Sequence, residues 1–582
     1  MGDGNCIGRV GALAVALGIG VGLVSTPGLV SAKPSDDTNS SRDASAASSS
    51  DASAAKAPKA PKAPKTEKSV SVSRNGVVTK QRGTATASTP EGSTGTRAKA
   101  RGDGATATVS SGNDNRADAN GTNARATAAG GENNRATVKG NNSTARAGND
   151  GADNSGNTAS VRGDSSQANA GYNGTGNHNN TATVNGNRSG AHAGGNGGNN
   201  NTSNRATATG NDNQVGAGVV GSDNDNNTAT VKGDRGLAGA GTYGNNNDNN
   251  TAAVKGDGTA WAGGGSFDPD TTGNNNSGNV ATVTNTGSSG SGTEAFAGIN
   301  GDNNTNNSAT VEGDDSAAYA GYRGTGNTDN TVRVTGNDSL AVAGSFGDNN
   351  TTNTATANGD GAWAAAGGGL PLIMSPTEPV TDFLPGSGND NNTATATGSG
   401  SGAINSQAVA GTAGTNNDDN NATAANSGSG SQALAVAGQL GENNSSNTAT
   451  VINKGDNSVA AAAAGIQGSN NVGNVATATN TGAGSPSTPF QTSTQAVAGS
   501  FGDNNANNTA TATNTADNTG RTLAFAGRGG DNNTNNAATA SNTLEEFLET
   551  LAQAGSDSDN NNRYTATASN GGTDIQPPPE TP

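Results

Sequence analysis

Residues 180–209 read NTATVNGNRSGAHAGGNGGNNNTSNRATAT, and this stretch decides the fold. It contains two short alternating runs, Thr181-Ala182-Thr183-Val184 and Ala191-His192-Ala193, before the opening motif returns as Asn204-Arg205-Ala206-Thr207. Alternation with period two is the strand period. Thr and Val favour strands, while Gly, Asn and Asp mark turns and tolerate positive φ. No apolar 3.6-residue period survives inside the unit, which excludes a helix there.

Working outward, the motif Asn-x-Ala-Thr-(Val/Ala) starts at Asn134, Asn157, Asn180, Asn204, Asn227 and Asn250, at spacings of 23 or 24 residues. It continues at Asn279, Asn307, Asn330, Asn353, Asn392, Asn421, Asn447, Asn474, Asn508 and Asn536, and a last copy uses Tyr564. That makes seventeen copies, one of which departs at its core, Asn330-Thr331-Val332-Arg333. A second motif, Ala-x-Ala-Gly, lies between the copies, as at 318–321 and 496–499. Wider spacings coincide with loop insertions, the clearest at 367–386 and 485–493. Two strands and two turns in about 23 residues suit one rung of a solenoid, in which each rung pairs with those above and below. The expected architecture is therefore an all-β β-solenoid over 102–570, with buried Ala giving a thin interior and Asn stacking as an amide ladder.

The competing reading is a largely disordered chain. Leu, Ile, Val and Phe together fill 63 of 582 positions, or 11%, and glycine alone fills 91. That is far below the content of an ordinary domain, and it excludes barrels and doubly wound sheets built on bulky side chains. Against disorder stand a net charge of only -17 over the whole length and a 23-residue spacing kept through consecutive copies.

The flanks differ from the repeats. Residues 1–32 carry Arg9, an apolar run from Val10 to Val24 and small residues at Val30-Ser31-Ala32, the layout of a secretory signal peptide. The segment GRVGALAVALGIGVG (8–22) resembles leaders of exported actinobacterial, mycobacterial-type proteins, and the resemblance implies a cell-envelope or secreted destination. Residues 33–101 read as a disordered linker, Ser/Ala-rich and then Pro/Lys-rich in KAPKAPKAPKTEK (56–68), where Pro at every third place favours an extended stalk. TLEEFLETLAQA (543–554) spaces Leu544, Phe547, Leu548 and Leu551 as a short helix. Residues 571–582 read as a flexible Pro-rich tail.

Charge and chemistry narrow the function. Residues 33–110 sum to +6 and residues 111–582 to -23, and an acidic body disfavours nucleic acid. The single cysteine, Cys6, falls in the leader, so the cleaved chain would have no thiol chemistry. The two histidines, His178 and His192, lack nearby carboxylates to orient a base, and no metal-ligand spacing, P-loop or dinucleotide fingerprint is present. No catalytic residue, cofactor site or enzyme activity is expected. Three surfaces remain as candidates. Asp302, Asp348, Asp503 and Asp531 recur in Gly-Asp turns and are weak calcium ligands by position. The x of Ala-x-Ala-Gly becomes aromatic at Trp261, Phe296, Tyr319 and Phe525, with Trp363 at a similar place. This is either an outward contact stripe or filling for a wider interior. Thr181/Thr183, Thr228/Thr230, Thr393/Thr395 and Thr509/Thr511 would form hydroxyl columns. These columns are similar to ice-binding β-solenoids, although the insertions are expected to interrupt them. The order of Ser, Ala, Gly and Asn is also faintly similar to curli-type repeats, in architecture only. The resulting expectation is an exported non-enzymatic repeat protein with a structural or adhesive role at a bacterial cell surface or matrix, partnered by itself or by wall glycan. The alternatives are a carbohydrate-, ice- or calcium-binding array and a disordered wall-associated chain.

Overall fold

A computed structural model describes residues 68–576 except 149–150, 196, 266–271, 286–292, 314–315, 337–338, 360–361, 369, 372–382, 385, 399–405, 412, 428–431, 455–457, 482–491, 500, 518–520, 545–548 and 556–558. The described residues form an all-β solenoid and contain no helix. Its backbone is one sheet of 21 strands running its full length. Strand β1 (Val70–Arg74) makes a hairpin with β2 (Val77–Arg82). β3 (Thr86–Ser88) opens a second sheet, and β4 (Arg97–Arg101) pairs antiparallel with β1. From β4 to Thr565–Ser569 every step in the long sheet is parallel, one coil per strand, as at Thr181↔Arg205 and Thr228↔Thr251. β2 is exposed throughout and closes the first end with Lys80 and Arg82, charges that discourage further strand addition.

Each coil has three sides. The second side carries an eight-stranded sheet from β3 to Leu237–Ala238 and a nine-stranded sheet from Leu340–Ala341 to Thr573–Gln576. The third side is a corner held by single bridges such as His178↔Thr202, Thr305↔Thr328 and Thr351↔Asp390. The interior is thin because the second and fourth residues of each long-sheet strand face Ala of the second sheet. Ala182 and Val184 meet the alanines of coils such as Ala191 and Ala193, all 2% exposed or less. Such methyl groups bury little apolar area per residue, so hydrogen bonding must supply what a bulky core would.

The Asn doublets of the corner supply it. In GDNNTNN (301–307) Asn303 and Asn306 sit at φ 60 and 55, while Asn304 and Asn307 are fully buried. The first Asn of each doublet turns the chain through the left-handed region, which Asn tolerates better than most residues. The second faces inward and joins a ladder. Asn227 Nδ2 donates to Asn204 Oδ1 at 3.1 Å and to the Asn247 carbonyl at 2.6 Å, and its own Oδ1 accepts the N–H and Nδ2–H of Asn250 at 3.0 and 3.1 Å. The pattern repeats from Asn134 to Asn536, with Tyr564 N–H closing it on Asn536 Oδ1 at 3.0 Å. A parallel ladder three residues earlier runs through Asn154, Asn177, Asn201 and Asn224. The glycine of Ala-x-Ala-Gly follows from this. A Cβ on Gly194 would lie 2.1 Å from Asn180 Oδ1, and one on Gly367 2.3 Å from Asn353 Oδ1.

Several boundaries differ from the sequence reading. Folded coils begin at Val70, not 102, because two further rungs at 19-residue spacing, Arg97–Arg101 and Arg116–Asn120, precede the first Asn-x-Ala-Thr copy; they keep Ala at the inward positions but lack its Thr. The copy assigned to Asn421 belongs to Asn420, whose N–H bonds Asn392 Oδ1 at 3.0 Å, while Asn421 is the first strand residue. The helix expected over 543–554 is not formed at its C-terminal part: Thr550–Ala554 is a strand, with Thr550, Ala552 and Ala554 inward. Ladder bonds from the coils on either side outweigh the helical spacing of its leucines. The expected tail likewise contributes Thr573–Gln576 as the last strand. The expected signal peptide (1–32), residues 33–67 and most of both insertions lie outside the described residues.

Candidate binding surfaces

Burial of the second and fourth strand positions leaves the first, third and fifth facing outward, so the long sheet presents three files of side chains along the axis. Successive coils stand ~4.8 Å apart and neighbouring files ~7 Å apart. Over the last eight coils the central file is threonine without exception: Thr356, Thr395, Thr423, Thr450, Thr477, Thr511, Thr539 and Thr567 are aligned coil on coil. The first file adds Thr354, Thr393, Thr448, Thr509 and Thr565, and the fifth adds Thr397, Thr479 and Thr513. β-branching restricts χ1, so each threonine has few orientations open to its methyl and hydroxyl groups. The expectation that insertions break these columns is corrected here. The 367–386 insertion leaves the chain after the second-side strand Ala362–Ala364, and Thr356 still pairs with Thr395 across it.

The aromatic positions resolve into two files rather than one. Trp261, Phe296, Tyr319 and Val342 follow one another in neighbouring coils, with Ala240 N–H on Trp261 O, Ala262 N–H on Phe296 O and Ala320 N–H on Val342 O. Val497 and Phe525 continue the same file. Trp363 aligns instead with Leu340 and Gln407, two positions earlier. The side chains lie outside the alanine cluster: Trp261 and Phe525 are buried, Phe296, Tyr319 and Trp363 are half-buried, and Tyr319 and Trp363 pack against a small second cluster of Val342, Ala365, Val409 and Ala413. Phe296 stacks on Tyr319 at 5.1 Å and on Tyr322 at 4.8 Å, and Phe346 closes edge-on against Tyr322 at 5.3 Å. Burial raises the Tyr319 hydroxyl pKa.

The four aspartates each cap a backbone N–H of the preceding coil: Asp302 that of Asn274 and Asp348 that of Thr325, both at 2.7 Å, Asp503 that of Ser469 at 2.7 Å, and Asp531 that of Asp503 at 2.8 Å. Asn199, Asn245 and Ser222 do the same at equivalent places. The recurring Gly-Asp is thus a turn-to-turn hydrogen bond, and among the described residues no three acidic or imidazole side chains converge as a metal site. His178 Nδ1 accepts the Ser155 N–H at 3.3 Å, and His192 Nδ1 lies 3.1 Å from Asn169 Nδ2. Burial and then Arg146 lower the His192 pKa. The chain matches no described protein family and no curated protein.

One feature has only a faint sequence signal: seven of the nine arginines and lysines of residues 97–162 share the outer face of the long sheet, while Arg125 and Arg146 lie on the second side. Its signal was the 19-residue spacing of Arg97, Arg116 and Arg135, each followed by Ala-x-Ala or Ala-Thr-Val.

Proposed function

We propose that this chain is an exported, non-catalytic repeat protein that serves as an adhesive or structural rod at a bacterial cell surface or in its matrix, with the threonine face as its contact surface. The observation carrying this reading is the unbroken, register-aligned threonine file from Thr356 to Thr567. A flat periodic face of short hydroxyl and methyl groups suits a repeating ligand lattice better than a single small molecule, for which concave pockets are the rule. Export rests on the leader, and the envelope destination on its resemblance to actinobacterial leaders. The same regularity favours a second reading, a lattice-binding array for crystalline polysaccharide or ice. Replacing Thr450, Thr477 and Thr511 by Lys changes outward side chains alone. The substituted protein is expected to lose retention on insoluble chitin, cellulose or ice while keeping its β spectrum. Retention equal to the parent chain on every solid would remove the threonine face from the proposal.

A further inference from the structure

The first coils carry a different surface on the same sheet. Residues 68–162 hold 13 Lys/Arg against 7 Asp/Glu, whereas residues 163–582 hold 11 against 35. The register sorts the first group into rails. Arg97, Arg116 and Arg135 stand in successive coils on the first file, and Arg101, Lys139 and Arg162 lie on the fifth. The rails are ~13 Å apart, and cations along each repeat in steps of the ~4.8 Å coil rise. Between them runs a floor of Lys99, Asp118, Thr137 and Ser160.

Two observations mark this face as one awaiting a partner. Arg188 and Arg235 of later coils are each neutralised by a carboxylate of the next coil, in the two-pronged Arg188–Asp212 pair at 2.6 Å and in Arg235–Asp257 at 2.9 Å. On the rails only Arg116 finds a carboxylate, Asp118 at 2.7 Å, and Asp103 beyond Arg101 is taken by Ser69 Oγ at 2.5 Å. The second observation concerns the floor and the Arg97 rail position beside it. Arg97 Nε, Asp118 Oδ1 and Thr137 Oγ1 are buried and bonded to nothing. Buried polar atoms are nearly always paired, so three such atoms on one patch point to an absent partner that both donates and accepts.

We infer that the rails and floor of residues 97–162 dock a linear anionic polysaccharide lying along the axis, with its acidic groups on the rails and its hydroxyls on the floor. A sugar polymer offers donors, acceptors and charges at once. Nucleic acid would need aromatic platforms for its bases or an element that enters a groove, and this flat face has neither. A lipid surface supplies charge but no hydroxyl chain to satisfy the floor.

The test uses the full chain on immobilised heparin and polygalacturonate, with neutral dextran as control, at two salt concentrations. Both acidic polymers are retained and dextran is not. The triple variant Arg135→Ser, Lys139→Ser, Arg162→Ser loses about a hundredfold in affinity and much of the salt dependence. Thr137→Val weakens binding severalfold and leaves the salt dependence unchanged, because it removes a hydroxyl and no charge. Circular dichroism verifies that both variants remain β-structured. Unchanged affinity in a folded triple variant overturns the proposal. So does equally tight binding of duplex DNA or phosphatidylglycerol vesicles, since charge alone would then account for it. Sedimentation showing that the face joins two copies of the chain, with no glycan bound, overturns it too.

Discussion

Replacing Asn227 by Ala tests the ladder where it is most regular. The side chain is fully buried and makes four hydrogen bonds. Its removal orphans three groups: the backbone N–H of Asn250, one Nδ2–H of Asn250 and the carbonyl of Asn247. Asn204 Oδ1 keeps its own coil-to-coil bond from the Asn227 N–H at 3.0 Å. Each orphan costs about 1–3 kcal/mol, so the loss is about 3–9 kcal/mol, with the lower end reached if water enters the gap. The neighbour Asn226 is the control. It is exposed, sits at φ 57 and serves the turn through its backbone. Asn226→Gly should therefore cost under about 1 kcal/mol, because glycine adopts that conformation freely. Solenoid stability is a sum of neighbour terms, so damage stays local at first. Amide hydrogen exchange reads it directly: in Asn227→Ala, exchange at 228–232 and 251–255 should rise at least about a hundredfold, given ~1.4 kcal/mol per tenfold. Strand 509–514 should be unaffected. If Asn227→Ala and Asn226→Gly exchange alike, the ladder does not hold the coils and the account of the fold fails.

Two further outcomes follow from the same geometry. Gly194→Ala places a methyl 2.1 Å from Asn180 Oδ1 at φ 52, and left-handed strain plus overpacking should cost about 2–5 kcal/mol, read as a lowered melting temperature or faster exchange at 181–185. For pH, burial first and then like charge raise the folded-state pKa of Asp248, beside Asp225, and of Asp418, beside Asp390, above the ordinary 3.8. A raised folded-state pKa means the native chain binds more protons than the unfolded one between the two values. These groups therefore favour folding as pH falls toward 3.8 and disfavour it as pH rises through the folded-state pKa. Asp248→Asn with Asp418→Asn keeps the acceptors for the Asp225 and Asp390 N–H groups, so melting at pH 7 should rise and the gain on acidification shrink. A double variant with the parent's pH profile would refute that assignment.

The coil was legible because its period is written twice, once in Asn-x-Ala-Thr and once in Ala-x-Ala-Gly, and because a 23-residue spacing admits few architectures. The reason for the glycine was not legible. Nothing in the sequence says that Gly194 lies under the carboxamide of Asn180, since that contact joins the second side to the corner. The division within each Asn doublet was hidden for the same cause: Asn226 and Asn227 are chemically identical, and only backbone conformation separates turn former from ladder member. The helix expectation fails over 550–554 because local leucine spacing takes no account of the strands on either side. Leu551 is aligned between Leu523 and Thr573, and completing that ladder is worth more than one isolated turn of helix.

The candidate surfaces were half legible. Threonine columns follow from any parallel register, but whether insertions break them depends on where each insertion leaves the coil, which only the topology fixes. Arg97 and Arg101, the first members of the basic rails, fall in the expected linker because residues 68–101 lack the Asn-x-Ala-Thr signature and begin the 19-residue coils. A common cause lies behind both. The interior constrains only the second and fourth positions of each long-sheet strand, and Ala or Val there is compatible with any residue at the first, third and fifth. Outward files are therefore free to change along the axis at no cost to folding, from Arg and Lys in the first coils to Thr in the last. One sheet can then carry two contact surfaces that differ in charge and ligand chemistry. Substitutions on one face should leave binding at the other intact, because the coils between them share backbone bonds but no outward side chain.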